Sequence, residues 1–191
     1  MLKNLLIKCA ELLNRDDILE TLKSIDDVED IDNKQIQNDI VRLIQFYNFT
    51  VHAACENYLG LITSEMVKSD VNKKIHYHEL NFTPVRILEV RDELGGRVLF
   101  DVSPTFILTC TGNKVYQVTY KYVPDCIEKL NEKTQLPRNL NEKTIVYGVV
   151  SEFLASKSQF NQSDYWRNKF LDDLFKINIH KERRIKSTFV K

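Results

Sequence analysis

Over residues 2–13 the apolar positions Leu2, Leu5, Leu6, Cys9, Leu12 and Leu13 recur at intervals of three and four, which predicts a helix with one buried stripe. Asn14, ahead of Arg15, Asp16 and Asp17, reads as the N-cap of a second short helix carrying Ile18, Leu19 and Leu22. The acidic run 26–32 has no period and predicts a solvated loop. Asn33 then caps the longest pattern in the chain. Ile36, Ile40, Leu43, Ile44, Tyr47, Val51, Ala54, Cys55, Tyr58, Leu59 and Ile62 predict one helix to about residue 67, roughly 50 Å long. Such a helix is longer than a core of this size needs. Phe46, Phe49 and His52 lie off its main stripe and predict a second buried face, within the fold or against a neighbouring copy.

From Lys74 the period falls to two. Segments 76–80, 85–90, 97–102, 105–110 and 115–123 are rich in β-branched and aromatic residues, with Gly95-Gly96 and Gly112-Asn113 standing between them as turns. They predict an antiparallel meander of four or five strands, ended by Val123-Pro124 because the residue before proline is held extended. Helical spacing returns with Ile145, Val146, Val149, Phe153 and Leu154 behind Asn141. It continues with Tyr165, Trp166, Phe170, Leu171, Leu174 and Phe175 behind Asn161. Residues 177–191 mix apolar and basic positions without a helix period, which predicts an extended tail.

The fold class expected is therefore α+β: a helical bundle with a long central helix, an inserted antiparallel β-meander and an extended C-terminal tail. The expected division is 1–70 for the N-terminal helices and 71–124 for the β-domain. The closing helices take 125–176 and the C-terminal arm 177–191.

At 191 residues and 43% hydrophobic, with ten Phe and eight Tyr, the chain has apolar area enough for a sizeable core without a disulfide or metal staple. No stretch approaches the ~20 apolar residues of a membrane span. The charged start, with Lys8 and Glu11 interrupting Leu5–Ile7, does not fit a signal peptide, so a cytosolic site of synthesis is expected. Cys9, Cys55, Cys110 and Cys126 have no zinc-ligand spacing and read as reduced, packed thiols. The 27 basic and 27 acidic residues cancel only on average. Between Glu11 and Asp39 ten acids face three bases, whereas from Lys176 onward six bases face one acid. Opposed ends of this kind favour contact with a partner, or head-to-tail contact between copies.

Catalytic chemistry is hard to find in these residues. His76 and His78, two apart on an expected strand, share a face that can hold a metal, but no third ligand has local spacing, and paired surface histidines are the simpler reading. No G-x-S-x-G, P-loop, G-x-G-x-x-G or C-x-x-C occurs. No catalytic, cofactor-binding or metal residue is assigned, no cofactor is expected, and a non-enzymatic protein is favoured. Lys181, Arg183, Arg184 and Lys186 could neutralise phosphates and Phe189 could stack on a base. A tail alternating apolar and basic residues more often threads along a protein partner.

Residues 74–175 carry a more specific pattern. The strand end Val118-Thr119-Tyr120-Lys121-Tyr122-Val123-Pro124 is followed by the loop Gln135-Leu136-Pro137-Arg138-Asn139-Leu140 and by the helix Ile145-Val146-Tyr147-Gly148-Val149-Val150-Ser151-Glu152-Phe153-Leu154. Ser158-Gln159-Phe160 and Tyr165-Trp166-Arg167-Asn168-Lys169-Phe170 come next. In this order the segments resemble the head-tail connector, or neck adaptor, proteins of tailed bacteriophages. The matching features are packing motifs: a Tyr-x-x-Pro strand end, a small residue after an aromatic in the next helix, and a Tyr-Trp-x-x-x-Phe helix.

The resemblance implies a structural virion protein of the neck, made in the host cytoplasm, forming a homo-oligomeric ring, commonly of twelve copies, between portal and tail. Its partners would be the portal protein and tail or nozzle proteins. DNA would pass through the channel during ejection without sequence-specific binding, and no membrane is involved. The segment from Ile177 would be the portal-docking arm, through Ile177, Ile179, Lys181, Arg183, Arg184, Ile185, Lys186, Phe189 and Val190. Phe46, Phe49 and His52 would be candidates for the ring interface. Two other readings remain: another neck or tail ring component, such as a stopper or tail terminator, or a cytosolic nucleic-acid-binding regulator using the basic tail.

Overall fold

The computed structural model describes residues 1–137 and 139–186, with side chains given as far as Ile177. The chain is α+β and divides into two compact units: a helical unit from residues 1–54 and 125–191, and a β-unit, Cys55–Pro124, inserted between them.

In the helical unit, α1 (Leu2–Leu12) buries Leu2, Leu5, Leu6 and Cys9 of the expected stripe, while Leu12 is exposed and Leu13, past its end, is half-buried. The first amides of a helix have no partner within it, and here the loop before α4 supplies two: Leu2 N–H donates to Glu132 O at 3.1 Å and Lys3 N–H to Leu130 O at 3.0 Å. α2 (Asp16–Ser24) starts from Arg15, whereas Asn14 takes a positive φ of 51° and closes the turn out of α1. A short-side-chained Asn tolerates that conformation, so its role here is to reverse the chain and not to cap the helix that follows. α3 (Lys34–Ala54) is capped as expected, Asn33 Oδ1 accepting from Gln35 N–H at 3.0 Å. α4 (Glu142–Ser156) is capped by Asn141, and α5 (Phe160–Lys186) packs along it.

Two features lock this unit together. Asp39, whose side chain is 3% exposed, accepts from Arg15 at 3.0 Å and from Lys157 at 2.8 Å, so one buried carboxylate ties α3 to the start of α2 and the end of α4. Gly148 lets α4 approach its neighbours closely: a Cβ there would lie 2.4 Å from Thr50 Cγ2 and 3.2 Å from the Phe170 ring.

In the β-unit, β1 (Leu61–Lys68), β3 (Pro84–Asp92) and β6 (Val115–Tyr122) form an antiparallel sheet of order β1-β6-β3. A second sheet has the order β2-β5-β4, from β2 (Lys74–His76), β4 (Asp101–Val102) and β5 (Phe106–Leu108). The core takes Tyr116, Val118 and Tyr120 from β6, with Ile75, Val90 and Ile107 from the other strands. Glu65 points inward and is satisfied there by the Tyr120 hydroxyl and by Asn81 N–H at 3.1 Å.

Several expectations are corrected. The long helix stops at Ala54, passes through one π-helical turn (Cys55–Leu59) and ends at Gly60, whose φ of +39° suits glycine. Residues 61–68 are a strand, because all eight pair with β6, from Leu61↔Tyr122 to Lys68↔Val115. The β-unit therefore begins at Cys55, ahead of the boundary expected at residue 71. Its strands do not follow one another as a meander: β6, which alternates most regularly, takes the centre between β1 and β3. At the other end, α5 continues to Lys186, where an extended arm was expected from Ile177. No Gly or Pro occurs within its 27 residues, and Lys, Arg, Glu and Ile all sustain a helix. The arm positions Phe189 and Val190 lie outside the described residues. Of the four cysteines, all free, Cys9 and Cys55 are packed as expected, but Cys110 and Cys126 are exposed.

Candidate interaction surfaces

On α3 the spacing of three brings Phe46, Phe49 and His52 to one side of the helix. Only Phe49 stands open, at 59% exposure, while Phe46 and His52 are half-buried. His52 is covered by the chain that returns from the β-unit. Asn48, one turn before it, clamps that chain by accepting from Ile127 N–H at 2.9 Å and donating to Ile127 O at 2.8 Å. Cys126 Sγ then lies 3.8 Å from His52 Nε2.

Of the arm positions, Ile177 is half-buried on α5. Ile179, Lys181, Arg183, Arg184, Ile185 and Lys186 continue the α5 backbone, whose helical run to Lys186 spans about 40 Å at 1.5 Å per residue.

A surface not singled out as a site from the sequence lies where α4 and α5 meet. Tyr147 and Trp166 sit 5.2 Å apart and Tyr165 and Trp166 5.1 Å apart, ring centre to ring centre. The Lys169 ammonium lies 4.3 Å from the Tyr165 centroid, 4.8 Å from Trp166 and 5.6 Å from Tyr147. Its hydrogen bond to Tyr165 is the main cause holding it above the usual lysine range. The contacts of Lys169 with Tyr165 and Trp166 follow from helix geometry, since 165 and 166 lie four and three residues before 169, whereas those with Tyr147 depend on the packing of α4 against α5. Beside this ledge α1, α4 and α5 enclose a groove of about 580 Å³ with Leu12, Val146 and Trp166 on its walls. Lys8 and Glu142 pair across its rim at 2.7 Å, and that hydrogen bond holds the Glu142 carboxyl below its ordinary range. The i, i+3 and i, i+4 spacing of aromatic and lysine residues was the readable signal. The partners on α1 were not.

The β-unit also leaves apolar side chains in solvent. Leu94 is 97% and Leu99 87% exposed, and Ile62, Leu88 and Leu99 line a shallow hollow on the β1-β6-β3 sheet. Glu89 on β3 is held ionised there by Arg91 at 3.0 Å and Arg97 at 2.6 Å.

His76 ends β2 and His78 lies in the 3₁₀ turn Tyr77–Glu79, so they are not two positions of one strand. Their rings stack at 5.3 Å, with Asp70 3.8 Å from His76. Among the described residues no three His, Cys, Asp or Glu side chains form a group that could hold a metal. Nor is any described helix long and apolar enough to cross a membrane. No family model matches the chain, and no curated protein matches it.

Proposed function

We propose that this chain is a non-enzymatic structural protein of a tailed bacteriophage, a neck adaptor that forms a ring between portal and tail and docks on the portal through its C-terminal segment. The observation that carries this reading is the number of large apolar side chains left in solvent on the helical unit. Phe49 on α3 and Phe160, Tyr165 and Phe175 on α5 are all exposed, and aromatic side chains are the type that protein–protein interfaces use most for contact. The insertion of a β-unit between helices drawn from both chain ends agrees with the resemblance of residues 74–175 to adaptors. Contacts between different faces of successive copies close into a ring when the rotation allows.

Electron micrographs of the full chain, alone and mixed with its portal, test the proposal. Rings in the mixture are expected, and a chain that stays monomeric and ignores the portal overturns it. Deleting residues 178–191 should leave the far-ultraviolet circular dichroism of the remaining helices in place and abolish co-sedimentation with the portal. Continued co-sedimentation would remove the docking role from that segment. Binding that instead falls steeply with salt and needs only DNA would favour a nucleic-acid-binding protein.

A further inference from the structure

We propose that Cys126 and His52 form a nucleophile–base pair that makes Cys126 the site of thiol–disulfide exchange with small disulfides. The pair is built by the fold and owes nothing to sequence proximity. Residues 52 and 126 are brought together because Asn48 holds the backbone of Ile127 with two hydrogen bonds, at 2.9 and 2.8 Å, and the Ile127 side chain is buried beside it. With Ile127 pinned, its neighbour Cys126 faces the residue one turn further along α3. The Sγ to Nε2 distance of 3.8 Å is within reach of a thiol–imidazole hydrogen bond, and Cys126 is exposed to an incoming reagent.

The other three thiols are placed differently. Cys9 is fully buried and its burial pushes the thiol far up. Cys55 is buried, and the same cause pushes it up to about 11. Cys110 is exposed, but its S–H donates to the Leu99 carbonyl at 3.1 Å, a contact that only the protonated thiol can make. Since the thiolate is the nucleophile, Cys126 alone combines access with an adjacent proton acceptor.

In the exchange, His52 Nε2 takes the Cys126 proton and Sγ attacks one sulfur of the disulfide. The disulfide bond breaks as the mixed disulfide forms, and the departing sulfur leaves as a thiolate that is protonated from the imidazolium or from water. Cys126 is oxidised and the departing half of the disulfide is reduced, so no further oxidant is needed. The inference does not depend on the adaptor reading, because it is a property of the chain alone.

The test treats the full chain with a dithiodipyridine, following release of pyridinethione by absorbance and locating the adduct by peptide mass. One fast equivalent per chain on Cys126 is expected, lost in Cys126→Ser and kept in Cys110→Ser. His52→Gln, which removes the proton acceptor, should slow that phase about fivefold at neutral pH and leave it unchanged in alkali, where hydroxide takes the proton. A structural role for His52 would instead alter the rate equally at both pH values, and that outcome overturns the pairing. A fast phase mapping to Cys110 in the unsubstituted chain overturns the site itself.

Discussion

Gly148→Ala is the substitution whose consequence the structure defines most sharply. The added Cβ would meet Thr50 Cγ2 at 2.4 Å and the Phe170 ring at 3.2 Å, against a comfortable carbon–carbon separation of about 3.5–4.0 Å. Thr50 cannot yield easily. It is buried, branched at Cβ and sits within α3, where few side-chain rotamers are open to it. The helices must therefore part or Thr50 must leave its rotamer, an overpacking cost taken at about 3 kcal/mol. Replacing glycine inside a helix returns about 1 kcal/mol. The net expectation is a loss of about 2 kcal/mol, or roughly 4–8 °C in melting temperature for a chain of this size.

Thr50→Ser removes the obstructing methyl, at a cost of about 1 kcal/mol by itself. In the double variant the alanine methyl occupies the vacated space, so the two substitutions should couple favourably by about 2 kcal/mol. Chemical denaturation of all four proteins, followed by far-ultraviolet circular dichroism, measures the cycle. If Gly148→Ala is as stable as the parent, or if the two effects simply add, the close approach of α4 to α3 at this point is wrong.

Two further predictions rest on charges in the helical unit. Asp39→Ala removes the acceptor shared by Arg15 and Lys157; because both cations retain access to water, the loss should be about 2–3 kcal/mol, read as a lower denaturation midpoint. Glu142 has its carboxyl lowered by the hydrogen bond from Lys8, so its contribution is complete above the ordinary carboxylate value and is lost as acid titrates the folded group below it. Glu142→Gln should remove that portion of the acid-side decline in stability, an effect under about 0.5 kcal/mol for so exposed a pair, and leave the alkaline side unchanged.

How far each element could be read from the chain depended on how local its determinants are. The α1 stripe and the caps Asn33 and Asn141 were legible because spacing and capping act within one or two turns. So was the alternation of β6, which has a buried residue at every second position through Tyr116, Val118 and Tyr120. β1 was not legible. Leu59 and Ile62 continue the helical spacing of α3, and the strand exists because residues 61–68 find β6 at separations of 61 positions (Leu61↔Tyr122) down to 47 (Lys68↔Val115). The three α3 residues proposed as a surface were correctly in phase with one another, yet the exposure of Phe49 and the covering of His52 depend on where residues 124–127 return.

The amino-acid sequence by itself determined that the chain is α+β, which stripes α1, α3 and α4 bury, and that its charge is divided between an acidic beginning and a basic end. Those properties follow from side-chain periodicity and composition, which neighbouring residues settle among themselves. Of the stripe read for α5 only Leu174 is fully buried, while Tyr165, Leu171 and Phe175 are exposed. The tertiary structure alone decided that the helix ends at Ala54, that β6 is central, that Gly148 meets Thr50 and that Cys126 faces His52. Each of these is a contact between distant segments. Its energy depends on the rest of the fold holding both partners in place, so no local pattern can encode it.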